Sequence, residues 1–208
     1  MSHTTNIVFD FGAVLFTWRP AELVQDHFPQ HADTAERASQ LGRSIFSHDD
    51  WHNFDRGSLA MDEVVNRTAK RLALPAPVLE SLVSRIGELL TPMADTVAVL
   101  NDLRRRRHAQ GNLRLYFLSN MPAPYARTLE QRHDFLQWFD GGIYSGDVKL
   151  IKPDPAIYRA LEERYALEPQ HTVFIDDLKA NIAAAEERGW RGIHFESPAQ
   201  LSAALELL

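Results

Sequence analysis

Carboxylates follow two short apolar runs of the 208-residue chain, each placed where the run ends. Asp10 comes directly after residues 7–9, and the adjacent acids Asp176 and Asp177 come directly after residues 173–175. Adjacent acids at a buried rim repel each other and raise each other's pKa unless a cation or a hydrogen-bond donor lies between them. The pair therefore predicts a hard divalent ion such as Mg²⁺, which prefers oxygen ligands. For Asp10 taken alone, a residue that caps a turn is an equally good interpretation.

Hydroxyl, amide and amine side chains follow other apolar segments. Ser119 and Asn120 end the run 113–118, where the hydroxyl and the following backbone N–H groups could hold an anionic oxygen, although a plain turn explains them as well. Lys152 precedes a proline directly before a predicted helix, so it could present a fixed charge to a phosphoryl group. Lys149 competes for that role, but exposure to solvent is its more ordinary interpretation. Polar residues at four predicted strand ends are improbable as independent turn caps.

The apolar runs themselves indicate the elements that position these residues. Each is continuous rather than alternating, which is typical of parallel strands covered on both faces; the runs are 7–9, 113–118, 143–144, 173–175 and 193–195. Helix-start signals of the form cap residue then proline stand between or beside them at Thr91, Asp154 and Ser197. The alternation predicts an α/β fold with a doubly wound parallel sheet. Because the carboxyl ends of such strands form the ligand crevice, Asp10 is expected to face a binding site.

The stretch from residue 16 to residue 90 breaks this alternation, because it contains helical patterns and no convincing strand. The candidate helices cover residues 21–28, 34–46, 61–74 and 77–90, and they are separated by turns such as the one predicted at residues 55–58. An insert of this kind directly after the first strand predicts an all-helical cap domain over 16–90, set into an α/β core made of 1–15 and 91–208.

Composition excludes several other functions. Lys and Arg number 22 against 28 Asp and Glu, so the formal charge is −6, which disfavours nucleic acid or a membrane surface as a partner. The absence of cysteine excludes disulfides, thiolate catalysis and cysteine-based metal sites. No apolar run approaches a membrane span and residues 1–6 lack a signal-peptide pattern, so we expect a cytoplasmic protein. No pattern indicates an oligomeric state.

In this order, the motifs resemble motifs I to IV of the haloacid dehalogenase (HAD) superfamily. They are Phe9 to Val14, Leu118 to Asn120, Lys152 to Tyr158 and Ile175 to Asp177, and the helical insert is similar to the cap of subclass I. The match is best with a branch that includes small sugar-phosphate phosphatases. The resemblance implies a Mg²⁺-dependent phosphatase that hydrolyses a small phosphorylated metabolite.

The resemblance also implies a role for each motif residue. Asp10 would be the nucleophile, attacking phosphorus to form an aspartyl-phosphate that water then hydrolyses. Its other oxygen, the Gly12 carbonyl and Asp177 would hold Mg²⁺, with Asp176 acting through water. The phosphoryl oxygens would be bound by Ser119, the Asn120 backbone N–H and Lys152. Lys152 would also restrain Asp10.

One position departs from the pattern of the phosphatases, which usually carry a second aspartate where this chain has Gly12. That carboxylate protonates the leaving group, a role worth about 10²–10⁴-fold in rate. Gly12 therefore leaves three explanations: another group supplies the proton, the substrate has a good leaving group, or the protein is a slow or inactive relative that binds phosphate or a partner. A second reaction class is a 2-haloacid dehalogenase, whose halide leaves without a proton. The acidic pair at Asp176 and Asp177 disfavours the dehalogenase, which needs no metal.

Residues that would contact a substrate are harder to identify from the sequence. Trp18 and Arg19 follow the first motif closely, and Trp51 and Arg56 lie in the helical insert, so these four are candidates. Aromatic residues in a helical segment are more often core residues than ligand contacts.

Overall fold

Residues 4–207 are described by a computed structural model, which has an α/β fold built on a five-stranded parallel sheet. The strands lie in the order β3-β2-β1-β4-β5, with every neighbouring pair parallel. They are β1 (Thr5–Phe9), β2 (Leu113–Ser119), β3 (Gly141–Tyr144), β4 (Thr172–Asp176) and β5 (Arg191–His194). All five predicted strands are present, and the last ends one residue earlier than predicted, at His194.

Both faces of the sheet are covered, as the continuous apolar runs predict. Ile7 and Phe9 of β1 pack into one apolar layer, whereas Val8 between them packs into a second layer with Tyr158 and Phe174. Ile7, Val8 and Phe9 are all buried, because successive side chains of a strand point to opposite faces and both faces are covered here. The sheet is therefore a rigid platform whose strand ends hold their side chains in fixed positions.

Eleven α-helices surround the sheet within the described residues. They are α1 (Pro20–His27), α2 (Ala35–Phe46), α3 (Asp49–Asp55), α4 (Met61–Leu72), α5 (Ala76–Leu89), α6 (Ala94–Gln110), α7 (Ala123–Arg132), α8 (Ser145–Val148), α9 (Pro155–Tyr165), α10 (Lys179–Glu186) and α11 (Pro198–Glu206). The first five follow one another between β1 and α6, and four of them match predicted helices to within two residues. Helix α3 was not predicted, because its seven residues are too short to show a helical period.

Two of the three predicted helix starts are confirmed. Asp154 accepts a hydrogen bond from the Ala156 N–H, and Ser197 accepts one from the Gln200 N–H. The prediction at Thr91 is wrong, because α6 begins at Ala94 and no side chain caps it. The Thr91 hydroxyl instead lies 2.9 Å from the hydroxyl of Thr17, so a contact between distant segments takes the place of the local cap.

The chain passes between the sheet and the five helices at this contact. The Thr17 N–H donates to the Thr91 carbonyl and the Met93 N–H donates to the Leu15 carbonyl, both at 2.8 Å. The outgoing and returning segments therefore run side by side at one crossing. We refer to helices α1 to α5 as the helical segment; that it forms a separate cap domain bounded at residues 16 and 90 stays a prediction.

Among the described helices, none combines the length and the apolar character that crossing a membrane requires.

Candidate active site

A cavity of about 470 Å³ lies between the carboxyl ends of the strands and the helical segment. Its floor includes Asp10, Lys152 and Asp177. The helical segment supplies apolar side chains to its wall, among them Trp18, Phe46, Trp51, Ile86 and Leu90. Chain segments that are far apart in sequence thus bring carboxylates and an amine to one enclosed space.

Asp10 lies just beyond β1, and the two oxygens of its carboxylate have different surroundings. Oδ1 accepts hydrogen bonds from the Phe11 N–H at 2.6 Å and from the Lys152 ammonium at 3.0 Å. Oδ2 accepts none from the described residues. Asp10 is only 7% exposed, but it lines the cavity. One oxygen is held in place while the other is available to a reacting group.

Lys152 is buried between two carboxylates. Its ammonium lies 3.0 Å from Asp10 Oδ1 and 2.6 Å from Asp176 Oδ2. Burial by itself would lower the pKa of Lys152, but the charges of Asp10 and Asp176 outweigh it and raise that pKa above its ordinary value. The amine is therefore a permanent cation of the site.

Asn120 fixes the backbone from which Lys152 extends. Its side-chain oxygen accepts from the Lys152 N–H at 2.8 Å, and its side-chain nitrogen donates to the Lys152 carbonyl at 3.0 Å. The prediction that Lys152 lies at a strand end is wrong, because helix α8 separates it from β3. This pair of hydrogen bonds, rather than a strand, determines where the lysine lies.

Asp176 at the end of β4 is completely buried, and both of its oxygens have partners. Oδ1 accepts from the Leu178 N–H at 2.8 Å, Oδ2 accepts from Lys152, and the Asn181 amide lies 3.0 Å from each oxygen. Asn181, in the first turn of α10, was missed by the sequence analysis. Its signal would have been a polar residue on the otherwise small and apolar buried face of that helix.

Asp177 completes a group of three carboxylates. Asp10, Asp176 and Asp177 each offer one oxygen, and these oxygens lie within 4.8 Å of one another. Burial raises the pKa of Asp10 to about 7, although Lys152 lowers it and the other two acids raise it. Burial and then Asp176 raise the pKa of Asp177 to about 6. One ammonium does not balance this group, so the site has the charge and the hard oxygen atoms that suit a divalent cation.

The remaining predicted site residues lie in different surroundings. Ser119 is buried at the end of β2 but is not among the residues that line the cavity, and its hydroxyl forms no hydrogen bond within residues 4–207. Gly12 lines the cavity, and a Cβ atom there would meet Trp18 Cβ at 3.9 Å, which is ordinary contact. Lys149 is exposed and lies outside the cavity lining.

The helical segment contributes both predicted and unpredicted residues to the cavity. Trp18 and Trp51 line it, whereas Arg19, which pairs with Glu22, and Arg56, which bonds to Asn53, are not among the lining residues. Asp55, at the end of α3, also lines the cavity, and it was missed because the sequence analysis assigned residues 55–58 to a turn.

Comparison with known proteins adds a family to this geometry. Residues 5–189 match the model of the haloacid dehalogenase-like hydrolases. The chain is 28% identical over 200 residues to the sesquiterpene phosphatase astK of Aspergillus oryzae, covering 96% of this chain and 93% of that protein. It is 32% identical over 108 residues to phosphoglycolate phosphatase of Escherichia coli, which covers 51% of this chain and 40% of that protein.

Solved structures agree with the fold. The HAD family enzyme bt-2542 of Bacteroides thetaiotaomicron superimposes with a TM-score of 0.74 at 17% identity, covering 98% of both chains. A complex of that enzyme with magnesium and inorganic phosphate superimposes with a TM-score of 0.70, covering 93% of this chain and 94% of that one. At this level of identity the likeness establishes the fold alone.

Proposed function

We propose that this chain, which belongs to the haloacid dehalogenase-like hydrolases, is a Mg²⁺-dependent phosphatase that uses Asp10 as its nucleophile. The observation that carries the proposal is the environment of Asp10. Its Oδ1 is held by Lys152 and by the Phe11 N–H, while its Oδ2 is free of hydrogen bonds from the described residues and the side chain lines the cavity. A nucleophile held in this way needs no reorganisation before it attacks.

The chemistry follows from this arrangement. Oδ2 of Asp10 attacks phosphorus and the bond from phosphorus to the ester oxygen breaks, which leaves an aspartyl-phosphate and an alkoxide that takes up a proton to become the alcohol. Water then attacks the same phosphorus and returns the electron pair to Asp10. Lys152 favours the ionised form of Asp10 and offsets the repulsion between the carboxylate and the phosphoryl oxygens. Asn120 acts indirectly, by fixing Lys152.

The donor atoms of the site fit Mg²⁺. Asp176 already has both oxygens occupied by protein donors, so we assign the direct contacts to Asp10 and Asp177, together with the Gly12 carbonyl. The raised pKa values of Asp10 and Asp177 support this assignment, because they indicate a deficit of positive charge. When bound, the ion would supply charge neutralisation for the phosphoryl group.

The proposal is tested by hydrolysis of 4-nitrophenyl phosphate with Mg²⁺ and with a chelator. We expect activity that requires the metal and that Asp10→Asn abolishes, with the fold checked by circular dichroism. Asp134→Asn is a matched control, because Asp134 lies outside the cavity lining. Activity that persists in chelator, or an Asp10→Asn variant as fast as the wild type, would refute the proposal.

The wall of the cavity favours a phosphomonoester of an apolar alcohol. Trp18 and Trp51 pack edge to face against Phe46 at 5.1 and 4.7 Å between ring centroids, and Ile86 and Leu90 extend this apolar surface. Such a surface gains free energy by covering apolar carbon, about 25 cal/mol per Å². The name of the Aspergillus oryzae relative, a sesquiterpene phosphatase, supports the same substrate class.

A comparison of substrates tests this assignment. We expect farnesyl phosphate and octyl phosphate to have a higher kcat/KM than glucose 6-phosphate, because only the alkyl chains match the apolar wall. A preference for the sugar phosphate would contradict the apolar substrate but would leave the phosphatase proposal intact. Chloride release from 2-chloropropionate in the presence of a chelator would instead identify a dehalogenase.

A further inference from the structure

Asp55 brings a carboxyl group into the cavity from the helical segment, opposite the strand ends. It is half-buried, it lines the same cavity as Asp10 and Gly12, and its carboxyl group forms no hydrogen bond with the described residues. The carboxyl group is therefore available to a ligand in the cavity. The nucleophile, its lysine and the acidic pair leave Asp55 without a role.

The backbone of Asp55 is tied to the sheet side of the cavity. The Ser145 hydroxyl, at the start of α8, donates to the Asp55 carbonyl at 2.6 Å. The same hydroxyl accepts from the Met121 N–H at 2.7 Å, just beyond β2. One buried serine therefore joins the end of α3 to two segments that follow strand ends.

The turn after α3 strengthens this attachment. Gly57 adopts a positive φ of +75°, and a Cβ atom there would lie 2.7 Å from the Gly146 carbonyl oxygen. Backbone thus packs against backbone between the helical segment and α8. The backbone of Asp55 is therefore held at a defined position in the wall of the cavity that Asp10 also lines.

The chemistry of the site lacks one component that Asp55 could supply. Gly12 has no side chain, so the position that usually protonates the leaving group offers no acid. Burial, and then the charge of Asp10, raise the pKa of Asp55 well above its ordinary value, so its carboxyl group retains a proton at higher pH than an exposed aspartate does. The other ionisable groups that line the cavity are Asp10, Arg43, His52, Tyr125, Lys152 and Asp177.

We propose that Asp55 is the general acid and base of this enzyme, replacing the carboxylate that is missing at Gly12. The inference depends on the proposed phosphatase function. As Asp10 attacks phosphorus, the ester oxygen takes the electron pair of the breaking bond and a proton from Asp55, and the alcohol leaves. Asp55, now a carboxylate, then takes a proton from the water that attacks the aspartyl-phosphate, which releases phosphate, returns Asp10 as a carboxylate and leaves Asp55 protonated again.

Two esters that differ in their need for a proton test this role. Nitrophenolate leaves without being protonated, whereas the alkoxide of octyl phosphate needs a proton to leave. The kcat/KM of each ester reports the steps up to transfer of the phosphoryl group to Asp10. For Asp55→Asn we expect kcat/KM for octyl phosphate to fall by about 10²–10⁴-fold. For 4-nitrophenyl phosphate we expect kcat/KM to change by less than about tenfold. Rapid mixing should also show one equivalent of nitrophenolate released before a slow steady state, because water then attacks without its base.

Controls separate this role from a structural one. Asp49→Asn removes an exposed carboxylate at the other end of α3, outside the cavity lining, and should leave both esters unchanged. Asp55→Ser provides a second variant in case a buried amide prevents folding, and the same selective loss is expected, with the melting temperature measured for each. An equal loss on both esters, or no loss on octyl phosphate, would overturn the role of Asp55 in a working phosphatase. A wild-type enzyme that hydrolyses neither ester would overturn the proposed function and this inference together.

Discussion

Replacing Lys152 by methionine removes the cation of the site while keeping the length of the side chain. The ammonium lies 3.0 Å from Asp10 and 2.6 Å from Asp176, and its side chain is 1% exposed. At an effective dielectric constant of about 20, each contact corresponds to about 6 kcal/mol of attraction, much of which the desolvation of the buried charges offsets. Breaking a buried ion pair from one side typically costs about 3–5 kcal/mol. We expect the free energy of unfolding to fall by about that amount at pH 8.

The sign of the pH dependence follows from Asp10. Its folded pKa, about 7, already exceeds the ordinary value of 3.8, so this group destabilises the fold as the pH rises between those values. Without Lys152, which lowers that pKa, the folded pKa rises further and the loss continues to higher pH. The variant should therefore be closer to the wild type at pH 5, where Asp10 is protonated, than at pH 8.

Urea unfolding in chelator at the two pH values measures this effect. Lys149→Met is the matched control, because Lys149 is exposed, and it should change the unfolding free energy by less than about 0.5 kcal/mol. Equal stability of Lys152→Met and Lys149→Met at pH 8 would refute the buried ion-pair group. A loss that is the same at pH 5 and pH 8 would show that Asp10 does not titrate as its burial requires.

Three further predictions concern the same site. Asp10 and Asp177 must both lose protons to bind Mg²⁺, and their pKa values are about 7 and about 6. The apparent affinity for Mg²⁺ should therefore rise about twentyfold from pH 6 to pH 8 in calorimetric titrations. An affinity that does not change with pH would contradict this prediction. Asn181→Leu removes the amide that bonds to Asp176 and should lower the unfolding free energy by about 1.5–3 kcal/mol in urea titrations, whereas an unchanged midpoint would exclude that bond. A Cβ atom at Gly12 would meet only ordinary contact, so the site has room for Gly12→Asp. In the Asp55→Asn background, this second substitution should restore part of the rate on octyl phosphate. A folded double variant with no gain in rate would argue against proton transfer as the missing step.

Local patterns predicted the strands and the residues at their ends, because burial on both faces leaves a continuous apolar run in the sequence. Asp10 and the pair Asp176 and Asp177 were found in this way, since each directly follows such a run. The position of Lys152 was predicted for the wrong reason. Its place depends on the side chain of Asn120, in a distant segment, and no periodicity records that contact.

The helical segment shows where sequence reasoning fails. Helix α3 is too short to show a helical period in the sequence, so the pattern predicts a turn at Asp55. Its approach to the strand ends depends on the Ser145 hydroxyl, and Ser145 lies far away along the chain. Likewise Thr91 is a residue type that favours a helix cap, but its hydroxyl forms a hydrogen bond with the Thr17 hydroxyl instead. In both cases a tertiary contact that the local pattern does not record determines where the residue lies.

The division of the site between two parts of the chain separates binding from proton transfer. The strand ends and the segment carrying Lys152 hold Asp10, Lys152 and Asp176 together within the sheet side of the molecule. Asp55, in contrast, belongs to the helical segment and reaches the sheet side through the hydrogen bond from Ser145. In the proposed mechanism, metal binding and attack by Asp10 therefore depend on the sheet side alone, whereas release of an alkoxide also depends on the contact that holds Asp55.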